Sequence, residues 1–190
     1  LAPETALTVS GKVPNGVDYL ISGQMRGAGR TYDGAGRELP SDGLLGQGGG
    51  DRYKAGNLLA KLGYDFDASK RIELNGSLIA FDQTPNYLTN YAAPYARPDR
   101  TQLYNGQSVM EDTKSISLRY TDSDFVIGKL SVQGFNNDIN KRFNFSTFSY
   151  PYHSQVYYSF NPLAPTSPDN QTTLYSQRGG ANVTIDTSLD

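Results

Sequence analysis

The amino-acid sequence predicts an all-β fold in which about seven antiparallel strands run up and down as one section of a larger transmembrane β-barrel. Three observations predict it. Connection lengths alternate: short turns at Pro14-Asn15-Gly16, Asp67-Ala68-Ser69-Lys70 and Thr121-Asp122-Ser123-Asp124 are separated by long polar connections, about Gly27 to Arg52, Thr84 to Asp112 and Asn137 to Gln177. Compact domains seldom repeat connections of that length, whereas turns on the periplasmic side of an outer-membrane barrel are short and those on the other side long. Between the turns, apolar residues recur at every second position, the period of a strand. The composition, with 20 Gly, 10 Pro and 14 Tyr in 190 residues, suits strands, turns and loops better than helices.

The strands follow in order. In the first, Leu7, Val9 and Val13 alternate with Thr8, Ser10 and Lys12. After the Pro-Asn-Gly turn, Val17, Tyr19, Ile21 and Met25 share one face and Asp18, Ser22, Gln24 and Arg26 the other, with Leu20 as an exception. The third strand sets Leu58, Ala60, Leu62, Tyr64 and Phe66 against Asn57, Leu59, Lys61, Gly63 and Asp65. Its hairpin partner sets Ile72, Leu74, Leu78 and Ala80 against Arg71, Glu73, Asn75 and Ser77, before the alternation weakens at Ile79 and Phe81. A third hairpin pairs Ile116, Leu118 and Tyr120 with Leu130 and Val132, and a seventh strand carries Ala181, Val183 and Ile185.

Mid-strand charges say what each face meets. Lys12, Lys61, Glu73, Arg119 and Lys129 all fall on the polar face, which is costly against a dry core and natural against a wet lumen. The apolar face, with Leu58, Leu62, Tyr64, Phe66, Leu74, Leu118 and Tyr120, is then the candidate lipid-facing surface. Tyr19, Tyr64, Phe66 and Tyr120 lie near short turns, where an interfacial aromatic girdle sits. The same pattern also describes a soluble sandwich that hides this face in a second sheet. No run reaches the roughly 20 apolar residues of a spanning helix, a test that barrel strands of about 9 to 11 residues do not face. Barrels of this kind close with an even number of strands, from about eight upward, so the chain is expected to be part of a longer receptor whose plug and remaining strands lie outside it. The first strand would run from outside to periplasm.

Two stretches carry a resemblance. Leu58-Leu59-Ala60-Lys61-Leu62-Gly63-Tyr64-Asp65-Phe66-Asp67 and Tyr32-Asp33-Gly34-Ala35-Gly36-Arg37-Glu38-Leu39-Pro40 resemble the barrel of TonB-dependent siderophore receptors, most of all the ferric-hydroxamate type, including those of cyanobacteria. Arg178-Gly179-Gly180-Ala181 with the following strand is similar to the same family. The resemblance implies a barrel of about 22 strands, plugged from within, in the outer membrane of a Gram-negative-type bacterium. It also implies import of a ferric siderophore with energy passed on by TonB through the plug region.

Catalysis finds little support. The one His, His153, has no nucleophile or metal-ligand pattern around it and reads as an ordinary loop residue, and there is no Cys. The glycines at 27–29 and 46–50 belong to no βαβ unit and fit no phosphate-binding fingerprint. Asp122 and Asp124 lack a visible set of six to eight oxygens for Ca²⁺ and read as a polar turn. Lys and Arg number 17 against 19 Asp and Glu, with no basic excess to suggest nucleic acid. No cofactor is expected.

The long loops are the candidate binding surface. Tyr87, Tyr91, Tyr95, Arg97, Arg100 and Tyr104 in the second, and Tyr150, Tyr152 and Tyr157 in the third, are residue types that stack on ligand faces or pair with anionic oxygens. A ferric siderophore arrives with its iron already enclosed, so the receptor needs a complementary cup and no metal ligand. The competing reading of each is that Tyr-rich loops pack on one another. Pro85, Pro94, Pro98, Pro151, Pro162, Pro165 and Pro168 suggest stiff loops that do not continue as sheet. Two other functions fit the pattern: a passive porin-type channel segment, and a soluble all-β module that binds carbohydrate or protein.

Overall fold

A computed structural model describes residues 2–40, 50–90, 97–104, 106–143 and 171–187. The described chain is all-β, without a helix: β1 (Glu4–Lys12), β2 (Val17–Ala28), β3 (Arg52–Asp65), β4 (Lys70–Thr84), β5 (Tyr87–Asn90), β6 (Arg97–Leu103), β7 (Val109–Phe125), β8 (Gly128–Arg142) and β9 (Thr173–Asp186). Seven strands form one antiparallel sheet in the order β1-β2-β3-β4-β7-β8-β9, and β5 pairs with β6 in a separate ribbon. The up-and-down order is therefore as the alternating connections predict.

Two expectations are corrected. The third short turn does not lie at Thr121-Asp122-Ser123-Asp124. Those residues continue β7, the ladder shifts register between Asp122 and Phe125, and the hairpin closes at Phe125↔Gly128 around Val126 and Ile127. Gly128 takes φ +137 with Asp186 O close by, so the turn forms where a residue without a side chain is available, not where the polar residues are. Nor do all the loop prolines stay out of sheet: Pro98 lies in β6 opposite Thr89. A two-stranded ribbon has only edge strands, where the missing N–H is tolerated.

The strands also outrun their apolar alternation at the loop end. β8 extends through Asn136, Asn137, Asp138 and Asn140 to Arg142, a stretch polar on both faces but for Ile139, so periodicity could not reveal it. At the opposite end, Asp67 organises its turn by accepting at Oδ1 from Ser69 N, Ser69 Oγ and Lys70 N, each at 2.8 Å. These bonds hold the Asp67 carboxyl down at about 2, with Lys70 adding a favourable charge.

The register arranges both faces in rows. On the polar face Thr8 Oγ1 and Ser22 Oγ lie 2.8 Å apart, Asn57 Nδ2 donates to Gln24 (3.1 Å), and Arg119 Nη2 donates to Gln133 (2.8 Å). Arg71 joins three strands, reaching Asp18 at 2.7 and 3.0 Å and Asp65 at 2.8 Å, while Lys12 meets Asp65 at 3.0 Å.

The apolar face is a slanted stripe. On β3 it begins at Leu58, whose row continues through Leu78 to Lys114, Asp138 and Gln177. On β9 its continuous part begins at Ala181, four residues further along, with Tyr175 alone beyond it on that face, and at the turn end it goes on to Leu130, Ile185 and the Phe125-Val126-Ile127 tip. Four residues of about 3.4 Å over four spacings of about 4.8 Å give a slope of roughly 35°. Barrel strands tilt by about 35 to 45°, so a level slab crossing tilted strands would mark the sheet in this way. Leu58, Leu62, Tyr64, Phe66, Leu74 and Leu118 are exposed on this face, and Tyr120 is half-buried there, opposite Ile72 and Val132.

Apolar burial is concentrated at the loop end. Among the described residues the buried hydrophobics are Leu88 and Val109, joined by the buried Asp51 and Gln83.

Candidate functional site

The polar face carries a concave site of about 510 Å³ near the loop end, lined by Gln24, Arg26, Tyr53, Asn57, Ile79, Phe81, Gln83 and Glu111. That volume is within the range of about 300 to 1,000 Å³ typical of small-molecule sites. The register explains its make-up. Arg26, Ala55, Phe81 and Glu111 form one row across β2, β3, β4 and β7, and Tyr53 and Gln83 belong to the next row on that face. The small side chain of Ala55 leaves room between its larger neighbours.

Tyr53 and Phe81 stack with centroids 5.9 Å apart and planes 26° from parallel, and the Arg26 guanidinium lies 5.9 Å from the Tyr53 centroid. Beside this platform Glu111 accepts from Lys141 at 2.8 Å. Gln83, only 2% exposed, donates to Asp51 at 3.1 Å. The arrangement offers two aromatic faces, a cation able to pair with anionic oxygens and amide groups for orientation, a set suited to an oxygen-rich, partly flat small molecule.

The loops above are tied to one another. Within the first, Tyr32 and Glu38 form an isolated bridge, and Asp33 accepts from the backbone N of Arg37 and Ala35 (both 2.9 Å) and from Arg37 Nε (2.6 Å). The backbone bond from Arg37 and its guanidinium contact hold the Asp33 carboxyl below its ordinary range. Glu38, its side chain 7% exposed, pairs with Arg30 of the same loop and with Arg100 of β6 at 3.2 Å. Arg30 also lies 5.7 Å from the Tyr87 ring centroid.

The candidate loop residues are thus distributed. Tyr87 is engaged by Arg30 and Arg100 by Glu38, while Arg97 opens β6, exposed. Tyr104 stands in a different network. Its hydroxyl donates to Gln107 O (3.1 Å) and accepts from Gln171 Nε2 (3.4 Å), and burial with the nearby Asp51 charge pushes its phenol well above the ordinary range. Tyr91, Tyr95, Tyr150, Tyr152 and Tyr157 lie outside the described residues, as does His153.

The reading by aromatic enrichment in loops passed over Arg26, Tyr53 and Phe81. A signal was present: Ile79 and Phe81, where the alternation of β4 weakens, place apolar side chains on the polar face and floor this site. The chain matches no protein-family model, and no curated protein or solved structure matches it.

Proposed function

We propose that the chain is part of the β-barrel of an outer-membrane receptor of the TonB-dependent type, in a Gram-negative-type bacterium, and that it helps bind a ferric siderophore for uptake. The slanted apolar stripe on one face of a sheet whose other face is hydrogen-bonded and charged is the observation that carries this reading. One face then meets outer-membrane lipid and the other a wet interior. The Arg26, Tyr53 and Phe81 platform, on the interior face near the long loops, suits the outer surface of an iron chelate whose metal is already enclosed. Coupling to TonB through a plug follows from the resemblance in the strand motifs.

The test is direct. The complete protein, folded into bilayers, is titrated with ferric and iron-free siderophores of the hydroxamate class. Saturable binding that prefers the ferric form and weakens with Arg26→Ala supports the receptor. Ion conductance through a permanently open pore, without such binding, favours a passive channel. A monodisperse, cooperatively melting monomer in plain buffer overturns the membrane reading.

A further inference from the structure

The β7–β8 hairpin tip ends in Phe125, Val126 and Ile127, which are 36%, 94% and 57% exposed. The equivalent turns of the other two hairpins are built from Pro14-Asn15-Gly16 and Asp67-Ala68-Ser69. A free apolar turn of this kind in water gains nothing from its three large side chains.

The hairpin ends step across the sheet. The last β1–β2 pair is Lys12↔Asp18, in the same row as Arg119 of β7. The last β3–β4 pair, Asp65↔Arg71, lies two residues beyond that row, and Phe125↔Gly128 lies six beyond it along β7 and five along β8. This progression has the sense of the slope of the apolar stripe. With the strands tilted by that slope, the tip comes level with Phe66, which packs edge-on against Tyr64 at 4.8 Å.

The tip is also held in place. Ser123 N donates to Ser69 O at 2.9 Å, fixing the β7 stalk to the neighbouring turn, and Gly128 backs against the chain at Asp186. Just before it, Asp122 is buried and accepts from Asp124 N at 3.0 Å, while the Asp124 side chain, next to Phe125, stays exposed at the base of the tip.

We propose that Phe125-Val126-Ile127 is a lipid anchor, seated in the boundary between headgroups and acyl chains of the leaflet at the short-turn end. The inference rests on the membrane reading above and adds an interaction site to it. Continuity with the apolar stripe selects lipid as the occupant, and the absence of charge in these three residues suits the boundary region.

The experiment uses single cysteines, Val126→Cys, Ile127→Cys, Ala68→Cys and Leu118→Cys, each labelled with bimane in the complete protein. The protein is folded into phosphatidylcholine bilayers brominated either near the headgroup or deep in the chain. The expected result is loss of emission at 126 and 127 with shallow bromine, loss at 118 with deep bromine, and none at 68. Quenching at 118 with none at 126 and 127 overturns the anchor and leaves the barrel standing. No quenching at 118 overturns the membrane reading and the anchor with it.

Discussion

The guanidinium of Arg71 crosses β3 directly over Gly63. A Cβ at Gly63 would meet the Arg71 Nη2 and would come within 2.7 Å of Asp18 Oδ1. Only a bare backbone there lets a β4 side chain reach a β2 carboxylate. Gly63→Ala is expected to swing Arg71 aside and uncouple it from Asp18. In the native background Arg71→Met should lower stability, because it leaves the Asp18 and Asp65 carboxylates facing each other without their shared cation. In the Gly63→Ala background the same change should lower it clearly less, read as a double-mutant cycle by denaturant titration in bilayers.

Charge on the stripe should be penalised by face. Leu62→Arg, near the middle of the apolar stripe, is expected to destabilise the folded protein in bilayers by about 2 to 4 kcal/mol. Ser117→Arg, on the opposite face of β7, should change stability little. Equal penalties at the two positions would contradict the assignment of faces.

The polar-face platform predicts the ligand's energetics. Tyr53→Ala and Arg26→Ala should each weaken ferric-siderophore binding by about tenfold or more, roughly 1.4 kcal/mol. Arg97→Ala, at the exposed start of β6, should leave the dissociation constant within about twofold. Isothermal titration of the three variants separates a site on the sheet from one confined to the loops.

Glu38 ties the first loop to the β5–β6 ribbon. Glu38→Gln removes the carboxylate shared by Arg30 and Arg100, and backbone amides of β6 should then exchange about tenfold faster, as local opening becomes easier by roughly 1.4 kcal/mol. Exchange in β3 and β4 should not change.

Acid should loosen the Asp67 turn late. A carboxyl in an unfolded chain titrates near about 3.9, whereas folded Asp67 is held at about 2 by Ser69 and Lys70. A depressed folded value contributes stability that is fully present above about 4 and is lost as pH falls through about 2. Exchange of the Ser69 and Lys70 amides should accelerate within that window, and Asp67→Asn should abolish the pH dependence.

Much of the sheet was legible because one face alternates strictly with the other. Leu58 to Phe66 and Ile72 to Ala80 determine both strand and face, and the register leaves Leu62 opposite Leu74 as parity requires. The third turn was not legible, since Thr121-Asp122-Ser123-Asp124 has turn chemistry while Val126 and Ile127 have strand chemistry. A bulge and the conformation of Gly128 decide the matter there. The β5–β6 ribbon was hidden by Pro98. As for the site, composition singled out loop aromatics, but Tyr87 and Arg100 find partners within the chain that spacing does not reveal. Tyr53 precedes the part of β3 that alternates cleanly, and Phe81 registers only as an irregularity.

At the base of the third long connection the chain is tied to itself. Phe143 N donates to Thr172 O at 2.9 Å, and Gln171 Nε2 donates to Phe143 O at 3.3 Å and to Gln107 O at 2.9 Å. The base is a socket. A peptide spliced between Phe143 and Gln171 begins and ends at positions already clamped to each other, with Gln171 also bonded to Gln107 of the neighbouring loop, so its length does not bear on the β8–β9 ladder. Doubling such an insert adds only about 0.6 kcal/mol of closure entropy, which makes this stretch the natural place to display a foreign epitope or reporter without disturbing the sheet.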